Sequence, residues 1–209
     1  MSYPAAELPI PPDVAPERTL SAAQWGMASF LVSEVAFFST LIVAYVTFLG
    51  RDTVGPTPAQ ALSIKLAFGT TLCLVASSFF IHLAEGALRR GNSGSFKLLL
   101  ALTIALGIAF LAGTAYEWHD LITRQQLTIG RNLFGTTFYT LVGFHGLHVT
   151  AGIVAMSIIL LLAMRGAISK EHETGVQLVS WYWHFVDVVW IVVFLVVYVG
   201  AIGTNGGAR

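Results

Sequence analysis

The 209-residue chain is 56% hydrophobic and only 11% charged, with no formal net charge at neutral pH. A soluble domain carries about 25% charged residues, so the composition excludes an ordinary water-soluble fold and indicates a polytopic membrane protein. The balanced charge leaves no basic footprint for nucleic acid. A single cysteine, Cys73, excludes an intrachain disulfide and a thiolate metal site; it reads as a small buried hydrophobe.

Residues 1–20 hold Glu7, Asp13 and Glu17 among several prolines. With no basic and then apolar run they read as an irregular tail, not a signal peptide, and the first span is expected to act as its own insertion signal. A helix needs about 20 mostly apolar residues to cross hydrocarbon. That length predicts spans near 25–49, 62–88, 96–120, 134–163 and 177–202, in one all-α membrane domain over 21–203, with 204–209 as a second tail. Breaks fall at 51–58, with Gly55, Pro56 and Pro58, at Arg89 to Gly94, at His119 to Asn132 and at Arg165 to Gly175. Arg89, Arg90 and Lys97 make the second loop the most basic, which places it and the N-terminus on the cytoplasmic side. Trp25, Trp118 and Trp181 fall near predicted span ends, as in an aromatic belt. Gly143, Gly146 and Gly152 are expected to let helices approach closely.

Along the chain, the first polar anomaly is Glu34, near the middle of the first span. An intramembrane carboxyl is costly and is a functional candidate by default. The alternative is a neutral acid that hydrogen-bonds a neighbouring helix. His82, Glu85 and Arg89 share one face at the inner end of the second span, where Glu85 and Arg89 form a favourable i,i+4 pair and Arg89 or Arg90 could meet an anionic lipid headgroup. Glu117, His119 and Asp120 read as a solvated helix end.

His145 and His148 stand at i, i+3 on the fourth span, and His184 on the fifth could add a third imidazole. Three neutral nitrogens suit haem or copper. Buried histidines also serve as interhelical hydrogen-bond donors, at about 1 kcal/mol. His184 and Asp187 are again i, i+3, and the spacing predicts that they pair. Trp183, Asp187 and Trp190 form a polar-aromatic stripe expected to face protein rather than lipid.

Three stretches together resemble a known family. They are Ser33-Glu34-Val35-Ala36-Phe37-Phe38, the run from Phe138 to Val149 containing Gly143-Phe144-His145-Gly146-Leu147-His148-Val149, and Trp181-Tyr182-Trp183-His184-Phe185-Val186-Asp187-Val188-Val189-Trp190. In order and spacing they are similar to subunit III of the haem-copper terminal oxidases, over roughly residues 24–200. The resemblance implies a non-catalytic subunit of a hetero-oligomeric complex in a bacterial cytoplasmic membrane. Haem and copper would sit in partner subunits I and II, with none on this chain. Subunit III would pack on subunit I, hold structural phospholipid and support proton uptake. It implies packing and hydrogen bonding for His145, His148, His184, Asp187 and Trp183, and matches Glu34 to the family's carbodiimide-reactive carboxyl. Longer relatives have seven spans, and this chain lacks the first two. Glutamate at position 34 leans toward the cytochrome c branch; a quinol oxidase subunit is the alternative. A proton-coupled transporter built on Glu34 is more distant, since no inverted repeat is visible.

Overall fold

The structure, a computed structural model, describes residues 20–52 and 55–201. The predicted tails lie outside these residues, apart from Leu20. Helix α1 spans Ala22–Phe48, the short α2 Pro58–Ala61, α3 Ile64–Arg89, α4 Ser93–Thr123, α5 Leu133–Met164 and α6 Glu173–Phe194. A 3-10 turn, Lys170–His172, leads into α6, and a π-helical turn, Leu195–Val199, continues it. Five of these helices are long and apolar enough to cross a membrane. No strand occurs among the described residues.

The helix ends are written in the sequence. Ser21 opens α1 with a capping box: the Gln24 amide donates to its hydroxyl, and its own amide donates to the Gln24 side chain. Asn92 and Asn132 cap α4 and α5 by accepting from the amides of Ser95 and Gly135. Gly91 and Gly166 stop α3 and α5 at φ of +72° and +76°. They turn the chain through the left-handed region that glycine enters without steric cost.

Several boundaries differ from the sequence reading, and α1 and α4 each start three residues before the predicted spans. The loop after the first span contains α2, nucleated by Pro58 at its first turn with Thr57 before it. Helix α4 runs three residues beyond 120: the i→i−4 ladder continues to the Arg124 amide, which donates to the Asp120 carbonyl, and the Thr123 hydroxyl donates to the His119 carbonyl. Helix α6 begins four residues before 177, so Trp181 lies two turns inside it rather than at its end. Trp25 is exposed near the start of α1, as a belt residue would be. Trp118 instead turns inward, edge-on to Tyr139 and close over Gly143.

Helices α3 and α4 pack along their length, and α5 and α6 close the bundle against them. Helix α1 leans on α5 and α6 and buries only Phe38 and Tyr45 fully. Gln24 donates to Gln177 across 3.0 Å, fixing the start of α1 to the start of α6. At the other end, Asp52 accepts from the amides of Leu133 and Phe134 at 2.7 and 3.0 Å, so the loop after α1 caps α5.

Trp183 is the central wedge. It is 0% exposed, and its Nε1–H donates to Ser77 Oγ on α3 at 2.9 Å. A Cβ on Gly107 of α4 or Gly152 of α5 would come within 2.9 and 2.7 Å of its ring. One tryptophan thus holds four helices. Of the three predicted glycines, Gly152 is the most closely packed, and a Cβ on Gly143 would lie a tight 3.3 Å from the Trp118 ring. Gly146 would meet Leu111 only at an ordinary 3.9 Å, and Gly107 is an addition.

Candidate functional site

Glu34 lies about 18 Å along α1. Its neighbour is His148, which lies at a comparable depth on α5. Glu34 Oε2 sits 3.0 Å from His148 Nε2, and both side chains are mostly withdrawn, at 17% and 12% exposure. His148 Nδ1 is 2.7 Å from the Phe144 carbonyl. A carbonyl only accepts, so Nδ1 carries a hydrogen. The Nε2–Oε2 contact then holds one proton: either a neutral acid donates to a bare nitrogen, or an imidazolium donates to a carboxylate. In both states the pair is neutral overall, which makes its burial tolerable.

Aromatic rings wall the pair. Phe38 stands 4.9 Å edge-on to His148, and Phe37 lies at 6.2 Å. Tyr182 stacks on the imidazole at 6.5 Å, and its hydroxyl donates to the His148 carbonyl. The Phe37-Phe38 half of the first motif, the second histidine of the next and the tyrosine of the third therefore build one site.

The three histidines go to three different places. His145 is 0% exposed, stacks on Trp190 at 4.8 Å and meets Phe110 edge-on at 5.7 Å. Neither of its ring nitrogens has a hydrogen-bond partner. His148 points the other way, to Glu34, and His184 faces α3. Among the described residues no three of His, Cys, Asp and Glu gather within reach of one metal ion.

His184 and Asp187 do not pair directly. The Ser78 hydroxyl of α3 lies between them: it donates to Asp187 Oδ2 and is 3.0 Å from His184 Nδ1. The i, i+3 spacing put the two side chains on one face, but α3 packs against that face and supplies the hydroxyl. The predicted stripe is otherwise in place, with Trp183, Asp187 and Trp190 all buried. Trp190 Nε1–H donates to Thr71 of α3 at 2.9 Å.

Glu117 corrects the reading of a solvated helix end: it is 5% exposed. The Tyr198 hydroxyl donates to its Oε2 at 2.6 Å, and the Ser63 amide donates to Oε1 at 3.4 Å. Tyr198 sits in the π-helical turn, and one extra residue per turn there shifts the azimuth of the side chains that follow. A cavity of about 250 Å³, lined by Ser63, Tyr116 and Asp120 among others, lies beside Glu117. Asp120 itself is tied to Arg124. The sequence signal that was available is the helical offset: Glu117 lies seven residues after buried Phe110 and four before buried Leu121.

At the opposite end, Arg89 pairs with Glu85 at 3.6 Å, as predicted, and also with Glu173 of α6 at 2.9 Å. Arg90 folds back over Gly86. Cys73 is free and half-buried.

The chain matches the family of cytochrome c oxidase subunit III over residues 17–202. It belongs to that family. Cytochrome c oxidase subunit 3 of Synechocystis sp. is 37% identical over 83% of this chain and 74% of its own. The probable cytochrome c oxidase subunit 3 of Mycobacterium leprae is 35% identical over 83% and 85%. The subunit of Alkalihalophilus pseudofirmus is 32% identical over 85% and 86%. Membership in the cytochrome c oxidase subunit III family makes this chain a multi-pass membrane protein of a multi-subunit oxidase.

Proposed function

We propose that this chain is the non-catalytic subunit III of a proton-pumping cytochrome c oxidase. It sits in a bacterial cytoplasmic membrane with its N-terminus on the cytoplasmic side and packs against the catalytic subunit I, with subunit II in the same complex. Haem and copper belong to those partners. The relatives' names favour the cytochrome c branch over a quinol oxidase.

The observation that carries a role beyond packing is the Glu34–His148 pair, which holds one exchangeable proton near mid-membrane. A carboxyl and an imidazole that share one proton can pass it between them while the pair stays neutral, so a proton given up on one side is matched by one taken up on the other. On this reading Glu34 supports proton supply to the catalytic subunit, and His148 positions it. His145, Trp183, His184 and Asp187 hold the bundle in shape. Arg89 is occupied by two carboxylates, so Arg90 is the better candidate for a phospholipid headgroup.

The test is operational lifetime. The intact oxidase carrying Glu34→Gln should assemble with normal haem content and initial turnover, and should lose activity after fewer turnovers than the native complex. An unchanged lifetime would reduce Glu34 to a packing residue.

A further inference from the structure

Ser78, His184 and Asp187 form a second polar chain, separate from the Glu34 site and on the opposite side of α6. The Ser78 hydroxyl has one hydrogen and touches both neighbours. While Asp187 is ionised, Ser78 donates to Oδ2, so its oxygen must accept from His184 Nδ1–H. When Asp187 is protonated, the hydrogen belongs on Oδ2, because buried Oδ1 has no partner and an O–H there would be left unpaired. The acid then donates to Ser78 Oγ, and the single hydroxyl hydrogen turns to His184 Nδ1, which must be bare.

We propose that Asp187 is a proton-exchange site reached through Ser78 and His184, in which the tautomer of His184 follows the charge of Asp187. The proton count closes. A proton from water, or from an acidic group covering the α3–α6 surface, binds His184 Nε2. The Nδ1 proton passes to Ser78 Oγ, and the Ser78 proton passes to Asp187 Oδ2. His184 ends neutral with its hydrogen on Nε2, and Asp187 ends as a neutral acid. Release runs the same steps backward, and no side chain has to rotate.

The surroundings suit this role. His184 is only partly buried, and its Nε2 is not among the sealed polar atoms, whereas both nitrogens of His145 are. His82 and Glu85 of α3 are the titratable groups that act electrostatically on His184. His82 is exposed, and Glu85 leads on to Arg89 and Glu173 at the inner end. Of the titratable groups on the other helices packed against α6, Glu34 of α1 pairs with His148 of α5, His145 of α5 stacks on the Trp190 ring, Tyr139 of α5 donates to the Leu127 carbonyl, and the buried Tyr45 hydroxyl of α1 has no hydrogen-bond partner. Ser78, His82, Glu85 and Arg89 thus run along one face of α3 from Asp187 toward the inner surface.

The test is infrared difference spectroscopy of the complex retrieved through a tag on this chain, after a pH step, in water and in heavy water. The expected native spectrum has a carboxyl band lost in Asp187→Asn and a paired imidazole tautomer band lost in both Asp187→Asn and His184→Gln. Ser78→Ala should keep the carboxyl band, slow its hydrogen–deuterium exchange by at least an order of magnitude, and abolish the paired imidazole band. Ser78→Ala removes one oxygen and no ring, so it tests the coupling even if the Asp187 variant fails to assemble. Pairing that survives Ser78→Ala, or a native complex with no Asp187 band at any pH it tolerates, would overturn the proposal.

Discussion

A carboxyl in hydrocarbon costs less with a hydrogen-bonding partner than without one. That rule explains why Glu34 has His148, Glu117 has Tyr198, and Asp187 has Ser78. It also sets the expected mutational asymmetry. In Glu34→Gln the new amide N–H₂ can donate to bare His148 Nε2, so thermal stability should stay close to native. His148→Ala leaves Glu34 without its partner and should cost about 1–3 kcal/mol. A double-mutant cycle built on Glu34→Ala and His148→Ala, each of which removes the contact, should return a coupling of about 1 kcal/mol, measured by unfolding in mild detergent; zero coupling would mean that the contact contributes nothing. Tyr198→Phe removes the shorter of two bonds to Glu117 and should destabilise by about 1–2 kcal/mol, whereas Tyr116→Phe, at an exposed ring, should be silent. The sequence made Glu34, Asp187 and the histidines visible because charged or ionisable residues stand out in an apolar run. It could not show their partners. Glu34 and His148 are 114 residues apart, and Ser78 is an ordinary helix serine until α6 packs on it. The one available cue was that Ser78 shares a face with His82, Glu85 and Arg89.

Among the helices, α3, α4, α5 and α6 are locked by Trp183, whereas α1 is held by its aromatic face and by Gln24 at its start. Gly152→Ala would drive a methyl to 2.7 Å from the Trp183 ring. A ring that fixed cannot move away, so overpacking should cost about 1–3 kcal/mol. Gly26→Ala on α1 meets nothing within 4 Å and should be neutral or stabilising by about 0.5–1 kcal/mol through helix propensity. Thermal unfolding of the two variants side by side checks both signs, and equal effects would contradict the wedge. The number and order of the membrane-spanning helices were legible from hydropathy, and the stops from Gly91 and Gly166, because hydrocarbon thickness and glycine conformation are local constraints. Gly107 was not legible as a contact. A glycine within the Leu-, Ile- and Ala-rich run of α4 gains meaning only when an indole from α6 arrives beside it. Helix α2 and the extension of α4 were missed for a related reason: polar loop residues can continue helical hydrogen bonding where they leave the apolar slab.

At the scale of the whole molecule, the five helices bury their polar groups against one another and leave the outward faces of α1, α3 and α5 rich in exposed Val, Leu, Ile and Phe. Such faces suit lipid or the apolar helices of a partner, and membership of the cytochrome c oxidase subunit III family places the chain in a multi-subunit oxidase. On the proposal above, this chain is an accessory subunit whose redox centres lie in its neighbours. The most direct measurement is purification through a tag on this chain in mild detergent, with the reduced-minus-oxidised spectrum and metal content recorded before and after the partners are dissociated. Haem and copper should co-purify with the tagged chain and leave with the partners. Metal retained by the lone chain would overturn the accessory role.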